Sequence, residues 1–265
     1  MTKNIKNRSF FWVILFFVLT SFTLIKLQEH KPTLYVIGDS TVRNGTKQIG
    51  NPLQGWGSFI GAYFDTTRIA VLNNAMGGTS TRTFISSGLW EKVMTQLQPG
   101  DFVIMQFGHN DSSPLDDAAR ARGTIKGTGD ESHEIDNPIL KKKETVYTYG
   151  WYLRKFVNEA QSKGATAIIC SPVPRNNWKD GKVNRADSDY GKWSEETAAT
   201  MKVGFVHLNH LIADRYDKLG ADTVKTFFPS DNTHTNARGA DINAQCVVEG
   251  LKSIKGCKLV KFLKK

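Results

Sequence analysis

Five short apolar runs recur along the chain: TLYVI (33–37), RIAVLN (68–73), DFVIMQF (101–107), ATAIICS (165–171) and GFVHLN (204–209). Each is rich in Val, Ile or Phe and bounded by Gly, Pro, Asp or Asn. None alternates cleanly between apolar and polar positions, the mark of strands covered on both faces. Helix-like stretches lie between them: WGSFIGAYF, GLWEKVMTQL, ETVYTYGWYLRKFVNEAQSKG, WSEETAATMK and LIADRYDKLG, with NARGADINAQCVVEGLKSI as the last. Strand and helix alternate throughout. The pattern therefore predicts a three-layer α/β/α fold built on a five-stranded, parallel, doubly wound sheet.

Two long polar interruptions, residues 112–143 and 172–192, follow strands at what would be their C-terminal ends. Open α/β sheets place their ligand crevice there, so both are expected to be functional loops.

The first 28 residues break the pattern. Lys3, Lys6 and Arg8 precede residues 10–25, which carry no charge. A basic start followed by an apolar run suits a signal peptide or an uncleaved membrane anchor. The folded domain is expected over 31–265, outside the cytoplasm, in a periplasmic or extracellular setting. No Cys lies just after the run, which disfavours a lipoprotein.

At 265 residues and 40% hydrophobic content, the chain can fill the core of one large α/β domain. The net charge of +10 is shared between the N-terminal segment and the tail KSIKGCKLVKFLKK. Such a balance suits a polyanion, an acidic polysaccharide or a membrane surface, and no nucleic-acid motif is present. Cys170, Cys246 and Cys257 match no zinc spacing; Cys246 and Cys257 are close enough in sequence to pair, or all three stay free.

Small polar clusters punctuate the strand ends: GDST (38–41), NNAMGGTSTR (73–82), FGHND (107–111) and, later, SDNTHTNARGA (230–240). Any one of them reads as a helix cap. Together they supply what acyl transfer requires: a nucleophile, a base, an acid to orient the base, and donors for an oxyanion. Ser40 follows a strand at a turn. Asp231 and His234 are three residues apart, so the carboxylate can hold one ring nitrogen while the other faces Ser40. Gly77 and Gly78 let backbone N–H groups approach a ligand closely, and Asn110 supplies an amide donor.

GDS at 38–40, the glycine of the second cluster, GHND at 108–111 and D-x-x-H at 231–234, in this order, resemble the blocks of the SGNH (GDSL-type) hydrolases. The flanking GDSTV, GWG (55–57), NNAMGGTSTRTF, FGHND and DNTHTNARGA are similar to the bacterial rhamnogalacturonan acetylesterases within that family. The resemblance implies Ser40 as nucleophile, His234 as general base and Asp231 as its orienting acid. It further implies an oxyanion hole from the Ser40 N–H, the Gly78 N–H and the Asn110 side chain, with Gly78 preferred to Gly77 because it directly precedes the polar run Thr79-Ser80-Thr81-Arg82. Many relatives carry Arg at the position of Thr79. No metal or organic cofactor is implied.

The expected substrate is an acetylated plant cell-wall polysaccharide, rhamnogalacturonan first, attacked by a monomer. Arg82, Arg175 and the lysines 141–143 are candidates to meet galacturonate carboxylates, His109 to line the pocket, and Trp178 to stack on a sugar. Asp39 and Asp111 are expected to fix the loops, and His207 and His210 to be structural. The alternatives are an esterase for acetyl-xylan or a lipid, a membrane-anchored O-acetyltransferase, and a non-catalytic carbohydrate-binding protein. Polar, basic crevice loops disfavour the lipid, and retention of all four active groups disfavours the binding protein.

Overall fold

Strand β1 (Thr33–Gly38) lies inside the sheet with every residue buried. It pairs in parallel with β2 (Ala70–Asn73) on one side and β3 (Phe102–Gln106) on the other. Beyond β3 come β6 (Thr166–Cys170) and β9 (Gly204–Val206), giving a five-stranded parallel sheet in the order β2-β1-β3-β6-β9. These are the five apolar runs of the sequence. The computed structural model describes residues 30–45 and 52–265. The expectations for residues 10–25 lie outside the described residues.

Successive residues of a strand point to opposite faces, so every apolar run but the second feeds two cores. Leu34, Val36, Ile104, Ile168 and Val206 meet Trp56 and Ile60, together with helices α5 (Leu208–Leu219) and α7 (Ala237–Ser253). Tyr35, Ile37, Val103, Met105 and Ile169 meet α1 (Thr81–Ser86), α2 (Leu89–Met94), α3 (Tyr149–Ser162) and α4 (Tyr190–Met201). Each such side chain, once fully buried, contributes about 1.5–3 kcal/mol. This double burial explains why the inner runs of β1, β3 and β6 show no alternation. Residues Pro32–Lys265 fold as one unit.

Several local expectations give way. WGSFIGAYF forms two short 3-10 turns, Trp56–Ser58 and Ile60–Tyr63, instead of a helix. The stretch from Glu144 is not yet helical: Lys142–Tyr147 is strand β5, paired antiparallel with β4 (Ser132–Asn137), and α3 starts only after Thr148 caps it by accepting the Trp151 N–H. The polar pattern of the hairpin hid it, since most of its residues are exposed. The fifth run leaves the sheet at Val206, and His207 is the N-cap position of α5. A second small hairpin, β7 (Trp178–Lys179) with β8 (Lys182–Val183), orders the other polar interruption. All three cysteines are free, and burial raises the thiols of Cys170 and Cys246.

Candidate active site

The chain goes from β1 to β2 on one side and then crosses to β3 on the other. A crevice therefore opens beyond the C-terminal ends of β1 and β3, where neighbouring connections leave in opposite directions. Three of the four polar clusters follow β1, β2 and β3, and so converge on it.

The turn that carries Ser40, the expected nucleophile, depends on Gly38. A Cβ at that position would stand 2.5 Å from the Gln106 carbonyl oxygen and 2.5 Å from Val42 Cγ2, too close for any side chain. The chain folds back at once: the Val42 and Arg43 N–H groups donate to the Asp39 carbonyl oxygen at 3.2 and 3.0 Å. Asp39, fully buried, takes the capping role, accepting from the Thr41 N–H and hydroxyl at 2.8 Å each. Gln106 braces the turn from below, donating to Thr41 Oγ1 at 3.1 Å and accepting from Trp56 Nε1 at 3.0 Å. Ser40 is left to face the cleft.

Asp231 and His234 lie on the loop between α6 (Ala221–Lys225) and α7. Asp231 Oδ1 accepts from the backbone N–H groups of Thr233 and His234 at 2.7 and 2.8 Å, which locks the carboxylate. Its Oδ2 lies 2.7 Å from His234 Nδ1, and His234 Nε2 lies 2.8 Å from Ser40 Oγ. A carboxylate beside Nδ1 keeps the proton there and leaves Nε2 to accept from the serine hydroxyl. Burial would raise the Asp231 carboxyl, but the hydrogen bonds from His234 and Thr233 outweigh it and hold the group below the usual carboxylate range. The loop is stapled on three sides. Gln54 N–H donates to the Thr235 carbonyl at 2.8 Å, Asn176 N–H to that of Asn232 at 2.7 Å, and Asn236 N–H to that of Phe227 at 2.8 Å.

The three groups expected to hold an oxyanion, on Ser40, Gly78 and Asn110, come together in the same crevice. Among the described residues, neither the Ser40 N–H nor the Gly78 N–H has an acceptor. Gly78 has φ +83°, in the left-handed region, which costs an L-residue about 1–2 kcal/mol. Asn110 uses one amide hydrogen on the Thr79 carbonyl oxygen at 2.8 Å and has a second to offer. Asp111 ties this block to the start of α1: it accepts from Thr81 N–H at 3.0 Å, the Thr81 hydroxyl at 2.5 Å and Gly108 N–H at 3.1 Å. Burial still pushes its carboxyl up to about 7.

The crevice is a cleft of about 950 Å³ lined by Ser40, Gly78, Asn110, His109 and His234, among others. Among the described residues His109 Nε2 is buried without a partner, and burial lowers the pKa of the ring. Of the expected sugar-facing residues, Arg175 lines the cleft and Arg82 does not. Arg82 is 1% exposed, paired with Glu144 through Nε at 2.9 Å and Nη2 at 2.5 Å, with Nη1 on the carbonyls of Leu115 and Gly123. It clamps the β4–β5 hairpin to α1. Trp178 packs against the core and donates to Asn176 Oδ1 at 2.7 Å, away from the cleft lining. Lys143 pairs with Glu134 on the surface at 2.6 Å, and none of the lysines 141–143 lines the cleft. His210 meets Asp187 at 2.6 Å on the surface.

Arg43, Arg120 and Arg122 line the cleft without having been expected there. The one signal in the sequence was Arg-Ala-Arg at 120–122, within the polar interruption that follows the Asn110 block. Among the described residues no His, Cys, Asp and Glu cluster is arranged to hold a metal ion. No described helix is long and apolar enough to cross a membrane.

This fold and site are those of a carboxylic ester hydrolase, and the chain belongs to the GDSL-like lipase/acylhydrolase family, whose profile matches residues 36–242. Among its relatives is the rhamnogalacturonan acetylesterase of Emericella nidulans, 33% identical over 83% of this chain and 84% of that one. A probable rhamnogalacturonan acetylesterase of Bacillus subtilis, YesY, is 28% identical over 83% of this chain and 93% of its own. The crystal structure of Bacillus subtilis YxiM superposes with a TM-score of 0.67 at 25% identity, covering 84% of this chain and 56% of that protein.

Proposed function

We propose that the protein is a serine esterase that removes O-acetyl groups from a plant cell-wall polysaccharide, acetylated rhamnogalacturonan above all. The observation that carries the reading is the unbroken hydrogen-bonded line from Asp231 through His234 to Ser40, at 2.7 and 2.8 Å. The names of the two acetylesterase relatives support the choice of substrate.

In this mechanism His234 Nε2 takes the Ser40 proton as Oγ attacks the acetyl carbonyl, and Asp231 stabilises the imidazolium that forms. The carbonyl oxygen gains negative charge and is held by the Ser40 and Gly78 N–H groups and the second Asn110 amide hydrogen. Collapse breaks the bond to the sugar oxygen, which receives the proton from His234 and leaves as a hydroxyl. Water, deprotonated by His234, then attacks the acetyl-enzyme, and acetate departs as Ser40 regains its proton.

We also read the protein as exported, with residues 10–25 as signal or anchor; the mass of the mature protein distinguishes the two. The function is tested by acetate release from acetylated rhamnogalacturonan, acetyl-xylan and a small aryl acetate, with wild type and Ser40→Ala. Release from all three by wild type and loss in Ser40→Ala is the expected esterase result, with rhamnogalacturonan the preferred polymer. Equal release by both proteins overturns the esterase; release from xylan and aryl acetate alone overturns the substrate.

A further inference from the structure

Gly78, whose N–H is proposed to hold the oxyanion, has no side chain to anchor it in its left-handed conformation. An added Cβ there would find one atom within 4 Å, Arg122 Nη1 at 3.9 Å, so packing encloses the residue little. Its carbonyl oxygen accepts from Arg122 Nη1 at 3.1 Å and, among the described residues, from no other group. The next carbonyl, that of Thr79, is the one Asn110 takes.

Arg122 reaches Gly78 from a loop that folds back on itself. The Thr124 N–H donates to the Asp111 carbonyl at 3.0 Å and the Gly123 N–H to that of Pro114 at 3.1 Å. At the crossing, a Cβ on Gly123 would lie 1.9 Å from the Ser113 carbonyl oxygen, which leaves room for no side chain. Arg82 pins the same loop through the carbonyls of Leu115 and Gly123. Asp117 orders its outer turn: Oδ1 accepts from the Ala119 and Arg120 N–H groups at 2.9 Å each, and Oδ2 from that of Ala121 at 3.1 Å. Ala121, buried, is held at φ +41°, a left-handed conformation that costs a non-glycine residue on the order of 1–3 kcal/mol. The next residue is Arg122. Its Nε donates to Ser113 Oγ at 3.1 Å while Nη1 holds Gly78, so the guanidinium is tied at two nitrogens. Burial, then the neighbouring charge of Arg120, lowers its pKa. A cation partly withdrawn from water bonds a neutral carbonyl more strongly than an exposed one does.

We infer that Arg122 is a positioning residue of the oxyanion hole, holding the Gly78 carbonyl so that the Gly78 N–H keeps one orientation. Glycine changes its dihedral angles readily, and a glycine whose carbonyl is free takes its N–H with it when it turns. Donors stabilise a developing oxyanion best when they need no reorganisation as the charge forms. Arg122 and Asn110 supply that rigidity together, by holding consecutive carbonyls. The guanidinium also lines the cleft with Ser40, where its charge has the sign that favours an oxyanion. The strain at Ala121 then has a function: the loop accepts it to place the next side chain on Gly78.

This role for Arg122 rests on the esterase reading, and the test keeps the two apart. Full-length wild type, Arg122→Gln and Arg122→Lys are compared in steady-state hydrolysis of a small aryl acetate, which offers an arginine neither a carboxylate nor a sugar to bind. Arg122→Gln is expected to lower kcat by about 10- to 100-fold with KM within about twofold of wild type. Arg122→Lys, which keeps the charge, is expected to recover part of the loss. Circular dichroism establishes that each variant is folded. If Arg122→Gln does not fold, Ser113→Ala, which unties Nε alone, is read in the same way, with a smaller fall in kcat at constant KM as the expected result. An unchanged kcat in the folded variant, or a loss carried by KM alone, overturns the positioning role. Arg122→Lys no more active than Arg122→Gln overturns the part given to the charge. Failure of the esterase reading appears separately, as hydrolysis that survives Ser40→Ala.

Discussion

Asn110 donates one amide hydrogen to the carbonyl oxygen of Thr79 at 2.8 Å, and Thr79 directly follows Gly78, the glycine proposed to offer a neighbouring oxyanion donor. That bond fixes the rotation of the amide and aims its remaining hydrogen before any substrate arrives. Asn110→Ala is accordingly expected to lower kcat by about 10²- to 10³-fold with little change in KM. Steady-state kinetics on an aryl acetate check this; a loss carried by KM alone would contradict the oxyanion role.

Asp231 is placed to act through geometry as much as charge, because Oδ1 holds the Thr233 and His234 backbone while Oδ2 holds the ring. Asp231→Asn places an amide where a carboxylate kept Nδ1 protonated. The expected loss is on the order of 10⁴-fold in kcat with the fold retained. Circular dichroism beside the rate measurement separates this from unfolding.

Arg82 presents a different outcome. Its partners are Glu144, at 15% side-chain exposure, and two carbonyls. Arg82→Ala strands a largely buried carboxylate and should cost about 3–5 kcal/mol in urea unfolding. The exposed pair of Lys143 with Glu134 gives the contrast: Lys143→Ala should cost less than about 1 kcal/mol. Similar costs for the two would refute the clamp.

Asp111 links stability to pH. An ordinary Asp ionises near 3.8, whereas the buried carboxyl holds its proton to about 7. Between those values the folded protein binds more protons than the unfolded chain. Its contribution to stability is therefore fullest in acid, declines as pH rises from about 4 to 7, and is level above. Asp111→Asn carries no such titration. The stability of wild type relative to this variant should fall by up to about 4 kcal/mol between pH 4 and pH 8, read from urea midpoints at each pH. A difference that stays flat across that range speaks against the assignment.

The inner strands β1, β3 and β6 were legible because burial on both faces leaves an apolar signature that the surface elements lack. The two hairpins were not, since Ser132–Asn137 and Lys142–Tyr147 expose most of their side chains and are held by pairing rather than by hydrophobic pattern. Ser40, Gly78, Asn110, Asp231 and His234 stood out because four polar blocks in a fixed order are rare, and the fold brings all five to one crevice. Arg82 misled because charge type says nothing of direction: it sits next to a capping box, and its own helix turns it inward to Glu144. Arg43, Arg120 and Arg122 escaped for the converse reason, as ordinary surface cations in sequence that only the folded loops gather.

The bond between Ser40 and His234 joins residues 194 positions apart. During synthesis Ser40 leaves the ribosome long before His234 has been made, and Gln54 waits nearly as long for Thr235, 181 positions on. A chain that stops before Asp231 lacks both groups proposed to activate Ser40, so truncation at that point is expected to abolish ester hydrolysis instead of merely impairing it.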